Sequence, residues 1–386
     1  MAQPLTHLGD MPIEVFIRDY WQQKPLLIRQ AFKNFESPIS SNELAGLALE
    51  DDIESRLILE EGKKPWELRC GPFAEDDFSQ LPKDKWTLLV QAVDHYVPEV
   101  ADILDHFRFI PSWRLDDIMI SYAVDGGSVG PHYDQYDVFL LQAAGQRRWQ
   151  LGQTCSQNSA KIEGIDLHIL EQFDPEQDWV LEAGDMLYIP PQLAHWGTAI
   201  GDECMTYSIG FRAPSHTELL NDFVQEQMSH LSEDHRFCDP GFTPQTHSGE
   251  ISEPTIDAIS KLLSEAAQDK QALKTWFGQF ITQPKYSEDS NTAQPANIEE
   301  TLDELKSCLA EGSLLLERNP ASRFAFSVNS KAVQMFVNGL SFDTSHAFAS
   351  VVCEARNVTL EQAEDDELER LAELIELGHI GWPETQ

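Results

Sequence analysis

Between Asp117 and Arg212 the chain is cut into short apolar runs bounded by Gly, Pro or Asp: DIMISYAV, YDVFLLQAA, RRWQLG, DMLYIP, HWGTAI and CMTYSIGFRA. Side chains alternate across a strand, whereas a helix needs its apolar positions three and four apart over a longer span. Short runs this close together read as strands that must pair with one another. A β-sandwich or barrel is the expected outcome.

The flanks read differently. With 386 residues, two or three domains are expected. Upstream, PIEVFIRDYWQQ predicts a helix and PLLIRQAF a strand. From Ser40 to Phe107 the pattern is mixed, with helical stretches such as KDKWTLLVQAVDHYV. Beyond Pro214, HTELLNDFVQEQMSHL and TIDAISKLLSEAAQDKQALKTWFGQFI repeat apolar residues at helical spacing and predict amphipathic helices. The polar stretch QPKYSEDSNTAQPANIEE has the composition of a linker. From about Ile298 a small α+β module is expected: helix TLDELKSCLAEG, strands SLLLE and RFAFSV, then two further helices.

Composition narrows the class. Hydrophobic residues make up 41% of the chain, which is ample for real cores. No run approaches the roughly eighteen apolar residues of a membrane helix. The start, MAQPLTHLGDMPIEVF, lacks the pattern of a secretory signal. The six cysteines are scattered without a CxxC pair, which fits thiols in a reducing cytosol and predicts a cytoplasmic protein. Lys plus Arg number 27 against 65 Asp plus Glu, a formal charge of −38. That balance argues against direct binding of nucleic acid, whose phosphates require clustered cations. It suits either a highly soluble protein or one whose partner is basic.

The segment GPHYDQYD sets His132 and Asp134 two apart. On a strand their side chains share a face, so an imidazole and a carboxylate can reach one metal. The candidate third ligand is His195 in GDMLYIPPQLAHWG: Gly184-Asp185 turns, Met186 to Ile189 forms a buried strand, Pro190-Pro191 ends it, and His195 opens the next strand. His168 is the rival, but its polar surroundings lack that framing. Two His and one carboxylate on one face of an octahedron leave three positions open, the pattern of non-haem Fe(II) oxygenases rather than of closed zinc sites. A keto-acid co-substrate such as 2-oxoglutarate then needs a cation for its distal carboxylate, and a guanidinium suits that role. Arg147 and Arg148 sit where YDVFLLQAAGQRRWQLG is expected to return as a hairpin, and alternation lets only one face inward. Periodicity leaves the choice open, as it does a solvated arginine pair.

Together with YSIGFRAPS, these motifs closely resemble the JmjC-type ribosomal oxygenases. The match is best to the bacterial branch, which hydroxylates an arginine of ribosomal protein number sixteen of the large subunit. The resemblance follows the whole chain in order, although beyond the barrel it holds in pattern only. It implies a mainly β catalytic core, a double-stranded β-helix or cupin of JmjC type, over residues 1–214. An α-helical dimerisation segment over 215–290 and a winged-helix module over 291–386 would follow. The family's iron ligands fall on His132, Asp134 and His195. Its 2-oxoglutarate cation lies fifteen positions after the first His, on Arg147, and Ser208 resembles a polar residue that helps hold the co-substrate. The implied reaction consumes 2-oxoglutarate and O2 at Fe(II), and the implied assembly is a homodimer.

A hydroxylated arginine would call for a carboxylate near the mouth. Asp125 and Asp137 flank the metal segment, although turn or surface roles suit them as well. Three alternatives stay open. A non-oxygenase cupin would need no keto-acid cation. An interaction protein would act through its winged helix, yet EQAEDDELER and ERLAELIELG leave that module acidic. The same oxygenase chemistry could also serve another target, such as a histidyl residue.

Overall fold

The computed structural model describes residues 4–241, 243–286, 297–328, 333–354 and 356–383. The chain divides into two compact units, the first essentially residues 1–213 and the second starting at Pro214. In the first, a small ribbon of β1 (His7–Leu8) and β2 (Met11–Pro12) leads into α1 (Ile13–Asp19). The main sheet holds nine strands: β3 (Leu26–Ile28), β4 (Ser55–Glu61), β5 (Pro65–Cys70), β6 (Trp86–Val90), β7 (Leu115–Ala123), β8 (Val138–Thr154), β9 (Gln177–Glu182), β10 (Met186–Ile189) and β11 (Leu193–Phe211). Helices α2 (Ser41–Leu47), α3 (Glu75–Ser79) and α4 (Pro98–Leu104) lie between the early strands. The spatial order is β3-β10-β8-β11-β7-β6-β4-β5, with β9 also on β8. This is the expected double-stranded β-helix.

Two long strands close it. The first half of β8 pairs with β10 and with the end of β11; the second half pairs with β9 and with the start of β11. Both bend between their halves. Gly145 adopts φ +61°, and a Cβ there would stand 2.7 Å from the Glu203 carbonyl oxygen. Opposite it, the β11 register shifts between Ile200 and Met205. A bulge of this kind re-aims a strand, here from one wall of the barrel to the other.

Alternation on β8, with its parity reversed across the Gly145 bend, separates two cores. Phe139 and Leu141 join the large outer cluster with Phe16, Phe107, Tyr188 and Phe211. Val138, Leu140, Trp149 and Leu151 join an inner one with Leu181, Leu187 and Ile189.

Three expectations need correction. KDKWTLLVQAVDHYV is not helical: it forms β6 and a short 3-10 turn at Val93–His95. Its apolar run is buried on both faces between β4 and β7, a setting in which periodicity cannot separate strand from helix. YDVFLLQAAGQRRWQLG is one strand of 17 residues rather than a hairpin, because Gly145 bends the chain without reversing it. The His132–Asp134 segment is a loop with a single bridge pairing, His132 with His195, and not a strand.

The second unit begins with α5 (His216–Ser229), α6 (Glu253–Ala266) and α7 (Lys270–Thr282). Asp269 caps α7 by accepting from the Gln271 and Ala272 amides, which separates it from α6. Most of the expected linker, residues 287–296, lies outside the described residues. The terminal module contains α8 (Ile298–Glu311), β12 (Leu314–Arg318), β13 (Phe324–Val328), β14 (Val333–Val337), β15 (Leu340–Thr344), α9 (His346–Glu354), β16 (Asn357–Leu360), α10 (Asp365–Glu376) and β17 (Ile380–Gly381). Strands β13-β14-β15 form one sheet and β16-β12-β17 another around a single apolar core. This is a winged-helix module. No helix among the described residues is long and apolar enough to cross a membrane.

One buried carboxylate fastens the barrel to the segment that follows α1. Asp137, with no exposed surface, accepts from the Tyr188 hydroxyl (2.6 Å), from Gln22 Nε2 (2.9 Å) and from Arg114 Nη2 (3.2 Å). Removing one member of a buried ion pair strands the other charge. Asp137→Ala is therefore expected to lower stability by about 3 kcal/mol, and Asp137→Asn by less, since an amide oxygen can still accept from Tyr188. Calorimetry of the barrel transition checks this; equal melting temperatures for all three proteins would refute it.

Candidate metal and co-substrate site

The loop that carries His132 is tied to the strand that carries His195. Ser128 Oγ accepts from the Gly130 amide (3.0 Å) and from Trp196 Nε1 (2.9 Å). The His132 amide donates to the His195 carbonyl (3.0 Å), the reverse bond measures 2.8 Å, and the Gln192 amide donates to the Asp134 carbonyl (2.7 Å). These pairings set the His and Asp side chains with ligand atoms all within 4.8 Å of one another. The imidazole centroids are 4.2 Å apart, and His195 Nε2 lies 3.6 Å from Asp134 Oδ2. His168, the rival, is exposed and outside this group.

The tautomers follow from the hydrogen bonds. His132 Nδ1 lies 2.9 Å from the Gly130 carbonyl oxygen and His195 Nδ1 lies 3.0 Å from that of Leu193. A carbonyl only accepts, so each Nδ1 carries the hydrogen and each Nε2 keeps a free lone pair. Burial, and then the neighbouring His132, push the His195 pKa down to about 4, so its ring stays neutral. Two imidazole Nε2 donors and one carboxylate suit a divalent transition metal and leave room for exogenous ligands.

Deeper in the barrel, the two arginines part company. Arg148 is exposed and pairs with Asp178. Arg147 is buried, its guanidinium 5.7 Å from the Trp149 ring centre, and that ring lies 5.9 Å from His195. Arg147 Nη2 is a buried donor with no hydrogen-bond partner among the described residues. An unpaired buried cation is costly, and a carboxylate placed there would offset that cost. Ser208 is half-buried on β11, opposite Leu140 and Met119.

The two acids considered for the mouth are engaged elsewhere. Asp125 is exposed and accepts from the Gly201 amide (2.7 Å), and Asp137 is the buried anchor described above. Tyr136 marks the more acidic side. Its hydroxyl is held above the usual phenol range first by the charge of Asp134, then by burial, with Asp117 and Asp116 adding to it and Arg56 opposing. Sequence reading missed Asp116 and Asp117 because they precede the metal segment by a whole strand. Alternation along DIMISYAV does hold a signal, since Ile118 and Ile120 enter the outer core and so turn Asp117 to the other face.

A double-stranded β-helix that gathers two imidazoles and a carboxylate in this way defines a JmjC-type barrel. Residues 102–219 match the JmjC domain and residues 265–381 the ROXA-like winged helix. The ribosomal protein uL16 3-hydroxylase of Escherichia coli is 37% identical over 301 residues, 78% of this chain and 79% of that protein. A probable ribosomal oxygenase of Haemophilus influenzae is 32% identical over 348 residues, 88% of this chain and 84% of its own. The solved structure of YcfD, a ribosomal oxygenase from Escherichia coli in complex with cobalt and 2-oxoglutarate, matches with a TM-score of 0.83 at 32% identity. It covers 97% of this chain and 99% of that one. The chain belongs to the JmjC-domain ribosomal oxygenases.

Gly197 shows how tightly the inner wall is built. A Cβ there would stand 2.6 Å from the Trp149 ring, which cannot yield without moving the indole between Arg147 and His195. Gly197→Ala is expected to cost about 2 kcal/mol by overpacking and to change the near-ultraviolet circular dichroism. A variant with native melting and native spectrum would show that Trp149 has room to move.

Proposed function

We propose that this protein is an Fe(II)- and 2-oxoglutarate-dependent hydroxylase of an arginine side chain in ribosomal protein uL16, acting in the cytoplasm. The observation that carries the reading is the convergence of His132, Asp134 and His195 within 4.8 Å, with both Nε2 atoms free. It is supported by a relative named as a uL16 3-hydroxylase and by a similar structure that contains cobalt and 2-oxoglutarate. His132, Asp134 and His195 are assigned as iron ligands, Arg147 as the partner of the distal carboxylate and Ser208 as a further co-substrate contact.

When bound, iron with 2-oxoglutarate and O2 supplies the oxidising chemistry: one oxygen atom enters the substrate C–H bond, the other enters succinate, and CO2 is released. The chain supplies the geometry. The carbonyls of Gly130 and Leu193 hold the imidazoles in the liganding tautomer. Arg147 neutralises a carboxylate in a water-poor wall made by Trp149, Leu151 and Leu181. At the mouth, the negative field acting on Tyr136 suits an incoming guanidinium. Over longer distances, the formal charge of −38 favours encounter with a basic ribosomal protein.

The test is intact mass spectrometry of recombinant uL16 incubated with the protein, Fe(II), 2-oxoglutarate and air. A gain of one oxygen on arginine is expected, and none with His132→Ala, which should also lose divalent-metal binding while retaining its circular dichroism. Consumption of 2-oxoglutarate without a mass change would sink the substrate assignment. Undiminished turnover by His132→Ala would sink the metal assignment.

The proposed domain division is 1–214, 215–290 and 291–386, with the middle segment forming a homodimer. The support lies on α5 and α6. Leu220, Val224 and Met228 follow one stripe on α5 and are all at least half exposed, as are Leu231 just beyond it and Ile256, Leu262 and Leu263 on α6. An apolar stripe this long is costly in water unless covered. Sedimentation should give twice the 43.7 kDa chain mass for the native protein and the single mass for a Leu220→Asp, Val224→Asp variant. A native monomer would remove the proposal.

A further inference from the structure

A chain of buried polar contacts runs into Arg147 from behind. Thr206, Gln142, Cys204 and Arg147 are each at most 3% exposed, or effectively so. Thr206 Oγ1 donates to Gln142 Oε1 (3.0 Å), while Gln142 Nε2 donates to the Ala144 carbonyl (2.7 Å) and to Cys204 Sγ (3.4 Å). Arg147 Nε donates to the same sulfur, also at 3.4 Å. The Gln142 amide has one orientation that satisfies all of this, oxygen to the threonine hydroxyl and nitrogen to the carbonyl. Cys204 itself is fixed by the bulge, since it stands directly opposite Ala123 on β7 and packs with Ala123 and Ala199.

The choice of atom has a chemical consequence. A guanidinium has five N–H donors in a rigid plane, so holding Nε from one side fixes where the two terminal nitrogens point. A carboxylate behind Nε would also fix the plane, but it would neutralise the cation before any ligand arrived. A cysteine sulfur is a weak acceptor that orients the plane without bringing a carboxylate's charge. Among the described residues the geometry therefore gives Arg147 no carboxylate partner and leaves its Nη2 without an acceptor.

We propose that Cys204, held by Gln142, is a positioning residue that aims the Arg147 guanidinium at the distal carboxylate of the keto-acid co-substrate. This inference rests on the reading of Arg147 as that carboxylate's partner. It predicts an effect on ligands with a distal carboxylate and none on ligands that lack it.

The test is calorimetric binding of 2-oxoglutarate and of 2-oxobutyrate, which has the keto acid but no distal carboxylate, to the full-length Mn(II)-loaded protein without oxygen. Losing a hydrogen bond to a charged group, Cys204→Ala should raise the 2-oxoglutarate Kd about tenfold while leaving that of 2-oxobutyrate within about twofold. Cys204→Ser, which keeps an acceptor, should restore most of the affinity. Equal weakening of both ligands, or a serine variant as weak as alanine, would overturn the positioning role. So would a normal Kd in Cys204→Ala alongside a weakened one in Arg147→Ala, and the arginine reading would then stand. Should Arg147→Ala bind 2-oxoglutarate normally, the arginine reading fails first.

Discussion

The whole site hangs on the antiparallel pairing of β8 with β11. His195 lies near the start of β11, Cys204 within its bulge, Thr206 just past it and Ser208 toward the end; Gln142 and Arg147 stand on β8 on either side of Gly145. Register in such a pair is all or nothing, because a slip of one residue turns every side chain to the opposite face. A slip here would exchange Arg147 with Arg148 and send Phe139 and Leu141 out of the aromatic outer core. The packing of that core thus enforces the polar arrangement inside the barrel.

Several polar groups of the interior share one feature: the partner that holds them does not compete for the function. Backbone carbonyls take the Nδ1 hydrogens and leave Nε2 lone pairs available. A thiol takes Nε of Arg147 and leaves its charge. Asp137, a carboxylate that would compete for cations, is buried with three donors of its own on the outer side. Burial that strips water from these groups also makes each remaining interaction stronger. That is why one misplaced acceptor inside the barrel would matter more than several at its rim.

The barrel and the His-Asp-His grouping were legible because they rest on local signals: short runs punctuated by turn formers, two ligand types two residues apart, and a Gly-Asp turn followed by a Pro-Pro stop. The failures were failures of context. Gly145 reads as a turn, and only the facing bulge at residues 201–204 makes it a bend within one strand. KDKWTLLVQAVDHYV carries helix-like spacing, and burial between two strands overrides it. The role of Cys204 had no local signature at all, since its partners lie 57 and 62 positions away. One missed element did carry a signal: β14 and β15 are joined at Asn338-Gly339, both at positive φ, the pair a two-residue hairpin turn prefers.

The large negative charge sets a problem that the buried arginine resolves. A field that attracts a basic protein must repel a dicarboxylate, and both are required by the proposed reaction. The two demands separate by distance. At physiological ionic strength exposed charges are screened beyond about 8 Å, so the surface field governs encounter and fades as a determinant once a small anion is inside the barrel. There the effective dielectric is lower, and the nearest charge dominates. Arg147, held through its Nε and without a carboxylate partner among the described residues, is such a charge. The protein can therefore be anionic toward its macromolecular substrate and cationic toward its small one, provided nothing acidic reaches the guanidinium from within. A sulfur rather than an oxygen anion behind Arg147 meets that condition.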